Sequence, residues 1–407
     1  MFYFTSINSN YLSKAVLLAK TLKQQDPAAK FILALVDDIP GGVKIPDNIF
    51  DGILYTDQLK CWDNPQRIFF QYNVVEACTA VKPATALAIM DQYHCEKICY
   101  LDPDIAVFSR FTEVEDLLDV YSMVFTPHTT VPEEKDYYII GNEILFLKRG
   151  TNNLGFFAVK SDEEGRRFLT WWHKRLTAYC LDDRCKSEKL LSVCGLAGVF
   201  TDQKWIDLVP SFFDNYYILK HPGYNVSTWN LSHRIASKES DGSYLINGLP
   251  LRFFHFSGID SGDHMAVMEE LIADYPHVKT MLPLSEWYIS EDTAIKANFS
   301  QKAEWKYSCY SNGEKIPDEQ RKLFYIRKDV WNLFEDPFTV TPEKLCFYNW
   351  VRGEYPNQAA IEEKIEEMRT YRPPWPVRII KKILLYFTSQ ESPVYQKLKR
   401  IWHTLRS

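Results

Sequence analysis

The sequence predicts an α/β protein: a mainly parallel, doubly wound sheet with helices on both faces, followed by a smaller, mostly helical C-terminal region. Three features carry that expectation. Short runs almost free of charge, such as residues 98–101 (Ile-Cys-Tyr-Leu), have the length and composition of strands buried on both faces. Segments with apolar residues at helical spacing separate them. Acidic residues stand where the runs end, at Asp37-Asp38 and Asp102-Pro-Asp104, and ligands of such sheets bind at the carboxyl ends of strands.

The elements follow in order. Residues 2–5 read as the first strand. A helix comes next, capped by Asn10 or Ser9, with Leu12, Ala15, Val16, Ala19 and Leu22 on one face. Residues 30–36 form a second strand, closed by Asp37-Asp38 and a Pro40-Gly41-Gly42 turn. A short strand is expected at 52–55, and 73–90 reads as one helix bent near Pro83. Next come the strand ending at Asp102, a helix around 113–119, and strands at 122–125 and 144–146. Asn153-Leu-Gly155 leads into a strand at 156–159. Ser161-Asp-Glu-Glu164 reads as a capping box, opening a helix with Phe168, Trp171, Trp172 and Leu176 inward. A last strand, 251–256, carries His255. The pattern divides the chain into a main domain over 1–270, an accessory helical region over 271–376 and a basic amphipathic tail over 377–407.

Bulk properties narrow the function classes. A chain of 407 residues suggests two domains, at about 100–200 residues each. The net charge of −6 argues against a general nucleic-acid binder. Nine cysteines without a C-x-x-C pair read as buried thiols of a reducing compartment rather than a zinc site. The N-terminus lacks a basic leader with a cleavage site, and no apolar run is long enough to span a bilayer, so the chain is read as cytoplasmic. From Arg378 onward seven basic residues face one acid, Glu391. That tail mixes bulky apolar and basic residues as an interfacial helix does, which suits peripheral contact with the anionic inner face of a membrane. A solvated or domain-packed terminal helix fits it equally.

Asp102 and Asp104 carry the chemical argument. Two carboxylates this close shift each other's protonation unless a cation neutralises them, and hard divalent ions bound through oxygen meet that need. The order of motifs adds more than any one of them. After the N-terminal β-α unit come Glu76-Ala-Cys-Thr79-Ala-Val-Lys82-Pro83, Tyr-Leu-Asp102-Pro-Asp104, Asn153-Leu-Gly155-Phe-Phe-Ala-Val, Asp202-Gln203-Lys-Trp and His255-Phe-Ser-Gly258. Over about residues 1–260 this order resembles the nucleotide-sugar glycosyltransferases of the GT-A fold, in particular the relatives of glycogenin and the bacterial lipopolysaccharide galactosyltransferases (family 8-like).

The resemblance implies that Asp102, Asp104 and His255 hold Mn²⁺ or Mg²⁺ on the donor diphosphate, where the ion acts as Lewis acid and template. It implies that Asn153, Gly155, Asp202 and Gln203 line the donor sugar and acceptor pocket, where amides and carboxylates suit hydroxyl recognition. Asp202-Gln203 also reads as a helix N-cap. Lys82 stands where a basic residue reaches the donor, though a solvated helix lysine fits the position too. Thr5, Ser6 and Asn8 fall where the family reads base and ribose, and Asp37 or Asp38 is placed on the uracil edge or a ribose hydroxyl. Gly258 closes the H-F-x-G motif. Two departures stand out. Pro103 separates the paired carboxylates, and the family's lysine a few residues past H-F-x-G is replaced by Ile259-Asp-Ser-Gly-Asp-His264. Arg234 is the expected substitute at the leaving group, with His233 second, and Trp229 with the Pro222-Gly-Tyr-Asn225 turn is expected at the pocket floor.

These readings add up to a metal-dependent transferase moving a hexose from UDP to a cell-envelope glycan or lipid-linked acceptor, with retention and without an enzymic nucleophile. Trp305, Tyr307 and Trp331 are expected on the acceptor side. A sugar nucleotidyltransferase is the enzyme rival, but residues 5–15 hold no glycine for its phosphate loop. A catalytically inactive GT-A domain serving as a glycan-binding scaffold is the non-enzyme rival.

Overall fold

The computed structural model describes residues 1–182, 198–299, 303–341 and 346–354; the basic tail lies outside the described residues. Its strands are β1 (Phe2–Ile7), β2 (Lys30–Leu35), β3 (Gly52–Tyr55), β4 (Lys97–Leu101), β5 (Ile105–Val107), β6 (Met123–Pro127), β7 (Asn152–Lys160), β8 (Tyr216–Ile218), β9 (Ala236–Lys238), β10 (Tyr244–Ile246), β11 (Leu249–Pro250) and β12 (Phe253–His255). Seven form the main sheet in the order β3-β2-β1-β4-β7-β6-β8. All neighbours in it run parallel except those of β7, which is antiparallel to both β4 and β6. The α/β class with a mainly parallel sheet is therefore observed.

Alternation along the strands builds a core on each face of the sheet. Tyr3, Phe31, Cys99 and Phe156 join Leu18, Ala19 and Leu22 of the helix Leu12–Gln25. Their neighbours Phe4, Ile32, Ile98 and Phe157 join Ala84 and Ile89 of the helix Lys82–Tyr93 and Phe168 and Trp172 of Glu163–Tyr179. A strand with apolar residues on both faces needs such cover on both, which explains the uncharged runs in the sequence.

Several local expectations are corrected. The strand expected at 144–146 is helical, within the π-helical turn Ile139–Ile144 and the helix Leu145–Arg149. A short apolar run is ambiguous between the two periods; here Phe146 is buried while Ile144 and Leu147 are exposed. The single helix over 73–90 is two, Val74–Ala80 and Lys82–Tyr93, with Pro83 in the first turn of the second, where its missing N–H costs nothing. Asp162, not Ser161, caps the helix at 163 by accepting from the Gly165 N–H, 2.8 Å. Neither Ser9 nor Asn10 caps the first helix: Ser9 binds Asp37, and the Asn10 amide donates to Ala303.

The helices Asp263–Asp274 and Leu282–Lys296 follow β12, and Met268, Leu284 and Tyr288 share a core with Leu17 of the first helix. The helix Asp318–Ile326 is tied to the sheet domain by Lys322, whose ammonium meets both oxygens of Glu76. Among the described residues no helix is long and apolar enough to cross a membrane.

Candidate active site

One end of the sheet gathers the chemistry. β4 and β6 finish there, and β7, running the other way, begins there: Asp102 N–H donates to Gly155 O (2.8 Å) and Pro127 pairs with Asn152. The Asn153-Leu-Gly155 segment therefore faces Asp102 because β7 is antiparallel. β12 pairs antiparallel with β5, setting His255 opposite Ile105, and Phe256 N–H donates to Asp104 O at 2.8 Å. Backbone pairing thus carries a residue about 150 positions downstream onto the paired carboxylates.

The resulting cluster is tight. One ligand atom from each of Asp102, Asp104 and His255 lies within 4.8 Å of the others. His255 Nε2 is 3.0 Å from Asp104 Oδ1 and 3.9 Å from Asp102 Oδ2. The carboxylate side chains remain 27% and 22% exposed, whereas His255 is 6% exposed. Burial works against charge at Asp104, yet the His255 imidazole and the more distant Lys14 ammonium draw its carboxyl down to about 2. Burial likewise opposes charge at His255, but Asp104 and Asp102 raise its pKa above the ordinary value. Two carboxylate oxygens and an imidazole nitrogen converging on one partly open point fit a divalent cation, whose binding displaces the imidazolium proton. Pro103 is accommodated in the turn between β4 and β5, where a fixed φ suits a bend.

Lys82 closes the other side. Its ammonium donates to Asp202 Oδ2 at 2.8 Å and Leu154 O at 2.9 Å, and lies 3.3 Å from Asp102 Oδ1 over the Tyr100 ring. Burial opposes its charge, but facing Asp102 and Asp202 raises its pKa well above the ordinary lysine value. The solvated-lysine reading is excluded, because Lys82 is buried. Asp202 makes no cap hydrogen bond to the following turn, Gln203–Leu208. Tyr100 donates to Asp102 Oδ1 at 2.6 Å. Gly155 is sterically required: a Cβ there would stand 2.5 Å from His255 Cε1, 2.8 Å from Asn153 Oδ1 and 2.9 Å from Asp102 Oδ2.

The structure therefore brings together Lys82, Asp102, Asp104, Asn153, Gly155, Asp202 and His255. Gln203 sits beside them with its amide donating to Arg149 O, 3.0 Å. Gly258 takes a positive φ of 81° in the turn before the helix at 263, where it shapes the backbone. The expectation for the leaving group is corrected. Arg234 is buried and donates to the carbonyls of Pro222 and Tyr224, and burial lowers its pKa to about 9; it holds a turn rather than a leaving group. His233 is engaged by Glu133 at 3.1 Å. Thr5 is fully buried in β1, and Ser6 donates to Cys78 O at 2.6 Å. Asn8 is buried as well, and Asp37 accepts from Ser9 N (2.9 Å) and Oγ (3.0 Å). Trp305 and Tyr307 are core residues, with the Trp305 indole donating to Val36 O.

Sequence reasoning missed three site neighbours. Tyr100 was hidden in an apolar run. Lys14, held at 2.6 Å by Asp260, lies in the first helix and carries no motif. His128 follows the end of β6, where the strand-end rule that selected Asp102 applies equally.

Comparison with known proteins places the chain among distant likenesses. No family model matches it. It is 26% identical over 264 residues to the uncharacterized protein YfnF of Bacillus subtilis, a match taking in 63% of this chain and 80% of YfnF. It is 24% identical over 185 residues to the uncharacterized protein YfnD of the same organism, spanning 45% of this chain and only 53% of YfnD. Among solved structures it is similar to the galactosyltransferase LgtC in complex with donor and acceptor sugar analogs, at 17% identity and a TM-score of 0.40, covering 63% of this chain and 87% of LgtC.

Proposed function

We propose that this chain is a GT-A glycosyltransferase that uses Mn²⁺ or Mg²⁺ to transfer a hexose from UDP to a cell-envelope glycan or lipid-linked acceptor. The observation that carries the reading is the Asp102–Asp104–His255 cluster at the carboxyl end of β4, with Lys82 and Gly155 packed around it. The donor and acceptor sugar analogs named for LgtC support the substrate class.

When bound, the ion neutralises charge growing on the departing diphosphate. Asp102 and Asp104 supply oxygen ligands, and His255 supplies Nε2. Lys82 is oriented by Asp202 and Leu154 O and balances Asp102. Lys14 takes the part first assigned to Arg234: its charge reaches Asp104, and Asp260 holds it beside the segment that follows the H-F-x-G motif. Asp202, the carboxylate next to the metal set, is engaged by Lys82 rather than placed as a nucleophile. Retention through a front-face departure, in which a phosphate oxygen takes the acceptor proton, agrees with that.

The test is UDP release from UDP-glucose and UDP-galactose, with Mn²⁺ and with EDTA. Metal-dependent release supports the proposal. Donor binding without turnover favours the inactive glycan-binding scaffold, and equal release in EDTA rejects the metal role.

A further inference from the structure

His255 sits at the end of a hydrogen-bond relay whose polarity the backbone dictates. Gly155 N–H approaches Asn153 Oδ1 at 3.1 Å. A peptide N–H only donates, so that atom is the amide oxygen. His255 Nδ1 lies 3.2 Å from the same oxygen and must carry its hydrogen there. The Asn153 amide nitrogen then points at His128 Nε2, 3.3 Å away, which must accept. At the far end His128 Nδ1 lies 3.2 Å from the carbonyl oxygen of Thr151, so its ring hydrogen is on Nδ1. Both ends give the same answer for every hydrogen between them, without any assumed tautomer.

The surroundings keep the relay intact. His128 and Asn153 are buried, so water does not compete for these bonds. Phe146 stacks on the His128 ring at 4.3 Å and 13°. Trp229 packs edge-on against His255 and His128, at 5.3 and 5.6 Å. Burial lowers the His128 pKa to about 4, so the ring stays neutral with a lone pair on Nε2.

We propose that Asn153 and His128 are positioning residues that lock His255 in the form presenting Nε2 to a cation shared with Asp102 and Asp104. This rests on the metal reading above and changes the role of Asn153, from a sugar contact to the partner that orients a metal ligand. A histidine ligand held by a hydrogen bond at its other nitrogen keeps its ring orientation and gains basicity. His128 acts one step further back: without it the amide of Asn153 loses the acceptor of its N–H and is held through its oxygen alone.

The experiment measures Mn²⁺ binding to the full chain without nucleotide, by the electron paramagnetic resonance signal of free Mn²⁺. Melting temperature in EDTA checks the fold of each variant. Asn153→Ala is expected to weaken Mn²⁺ binding by about 10–100-fold. Asn153→Asp keeps an oxygen facing His255 but removes the N–H that His128 accepts, so it is expected to lose less affinity than Asn153→Ala. His128→Phe keeps the stack on Phe146 and is expected to cause a smaller loss, one that disappears in the Asn153→Ala background, because the residues act in series. Folded Asn153→Ala with wild-type affinity overturns the relay, as does a His128→Phe loss that adds in full. Asp104→Ala runs alongside: unchanged Mn²⁺ binding in it refutes the metal reading, whereas its loss with Asn153→Ala intact refutes only the relay. If Asn153→Ala does not fold, long-range ¹⁵N spectra of the wild-type histidine rings decide, since an Nε2–H tautomer at His128 contradicts the proposal.

Discussion

Glu76 and the Asp102–Asp104 pair both place carboxylates at low exposure, yet they are neutralised in opposite ways. Glu76 and Lys322 are fully buried together. Both Glu76 oxygens meet the ammonium, and each also accepts a backbone N–H, from Asn73 at 2.9 Å and Asp182 at 2.8 Å. Burial pushes the Glu76 carboxyl up, against the pull of Lys322, and nothing further is needed. At the end of β4 the two carboxylates stay partly open; both face His255, Asp102 also faces Lys82, and Lys82 serves Asp202 as well. The first arrangement is a clasp complete from within, joining the helix Asp318–Ile326 to the sheet domain. The second leaves both carboxylates partly exposed, with Lys82 divided between Asp102 and Asp202, and so has room for a further cation.

The contrast predicts opposite mutational behaviour. Lys322→Met should be the most damaging single change, because it strands a buried carboxylate. About 3–5 kcal/mol of stability is expected to be lost in urea unfolding, and adding Glu76→Gln should restore a large part. Asp104→Asn should do the reverse: a smaller loss in EDTA unfolding than Lys322→Met, from the pair with His255, and Mn²⁺ binding lost. If Asp104→Asn proves as destabilising as Lys322→Met, the distinction between clasp and site fails.

Gly155→Ala falls between the two. The added methyl meets His255, Asn153 and Asp102 at once, and overpacking of this kind costs about 1–3 kcal/mol. Weaker Mn²⁺ binding is expected with it; an unchanged dissociation constant by calorimetry would show that the ligands move aside freely.

A pH-dependent effect belongs to Asp37, a buried carboxylate with hydrogen bonds from Ser9 and, among the described residues, no ion pair. Burial raises its pKa from 3.8 to about 6, against the two Ser9 bonds. The folded chain therefore holds that proton more tightly than the unfolded one, so this group's stabilising contribution declines as pH rises from about 4 to about 6. Asp37→Asn should flatten that slope in melting curves recorded across the window. An identical slope in both proteins would show that Asp37 does not titrate there.

The parts of the site readable from the sequence were those fixed by strand ends. Asp102 and Asp104 announced themselves where a charge-free run stops, and His255 did so through the order of motifs. What was not readable depended on direction and partners. Asn153 was singled out through the order of motifs, but its place against His255 comes from the antiparallel β7, and a strand's direction is not written in its composition. Ile144 and Phe146 looked like a strand because a short apolar run fits both periods, yet their helix is what stacks Phe146 on His128. Arg234 looked like a free cation because its partners, the carbonyls of Pro222 and Tyr224, are backbone atoms brought near by a turn.

The most direct test of the account is calorimetric titration of UDP into the full chain, with Mn²⁺ and with EDTA, for wild type and Asp104→Asn. The account predicts UDP binding in wild type with Mn²⁺, and a large loss both in EDTA and in the variant. Equal UDP affinity with and without Mn²⁺ would contradict it.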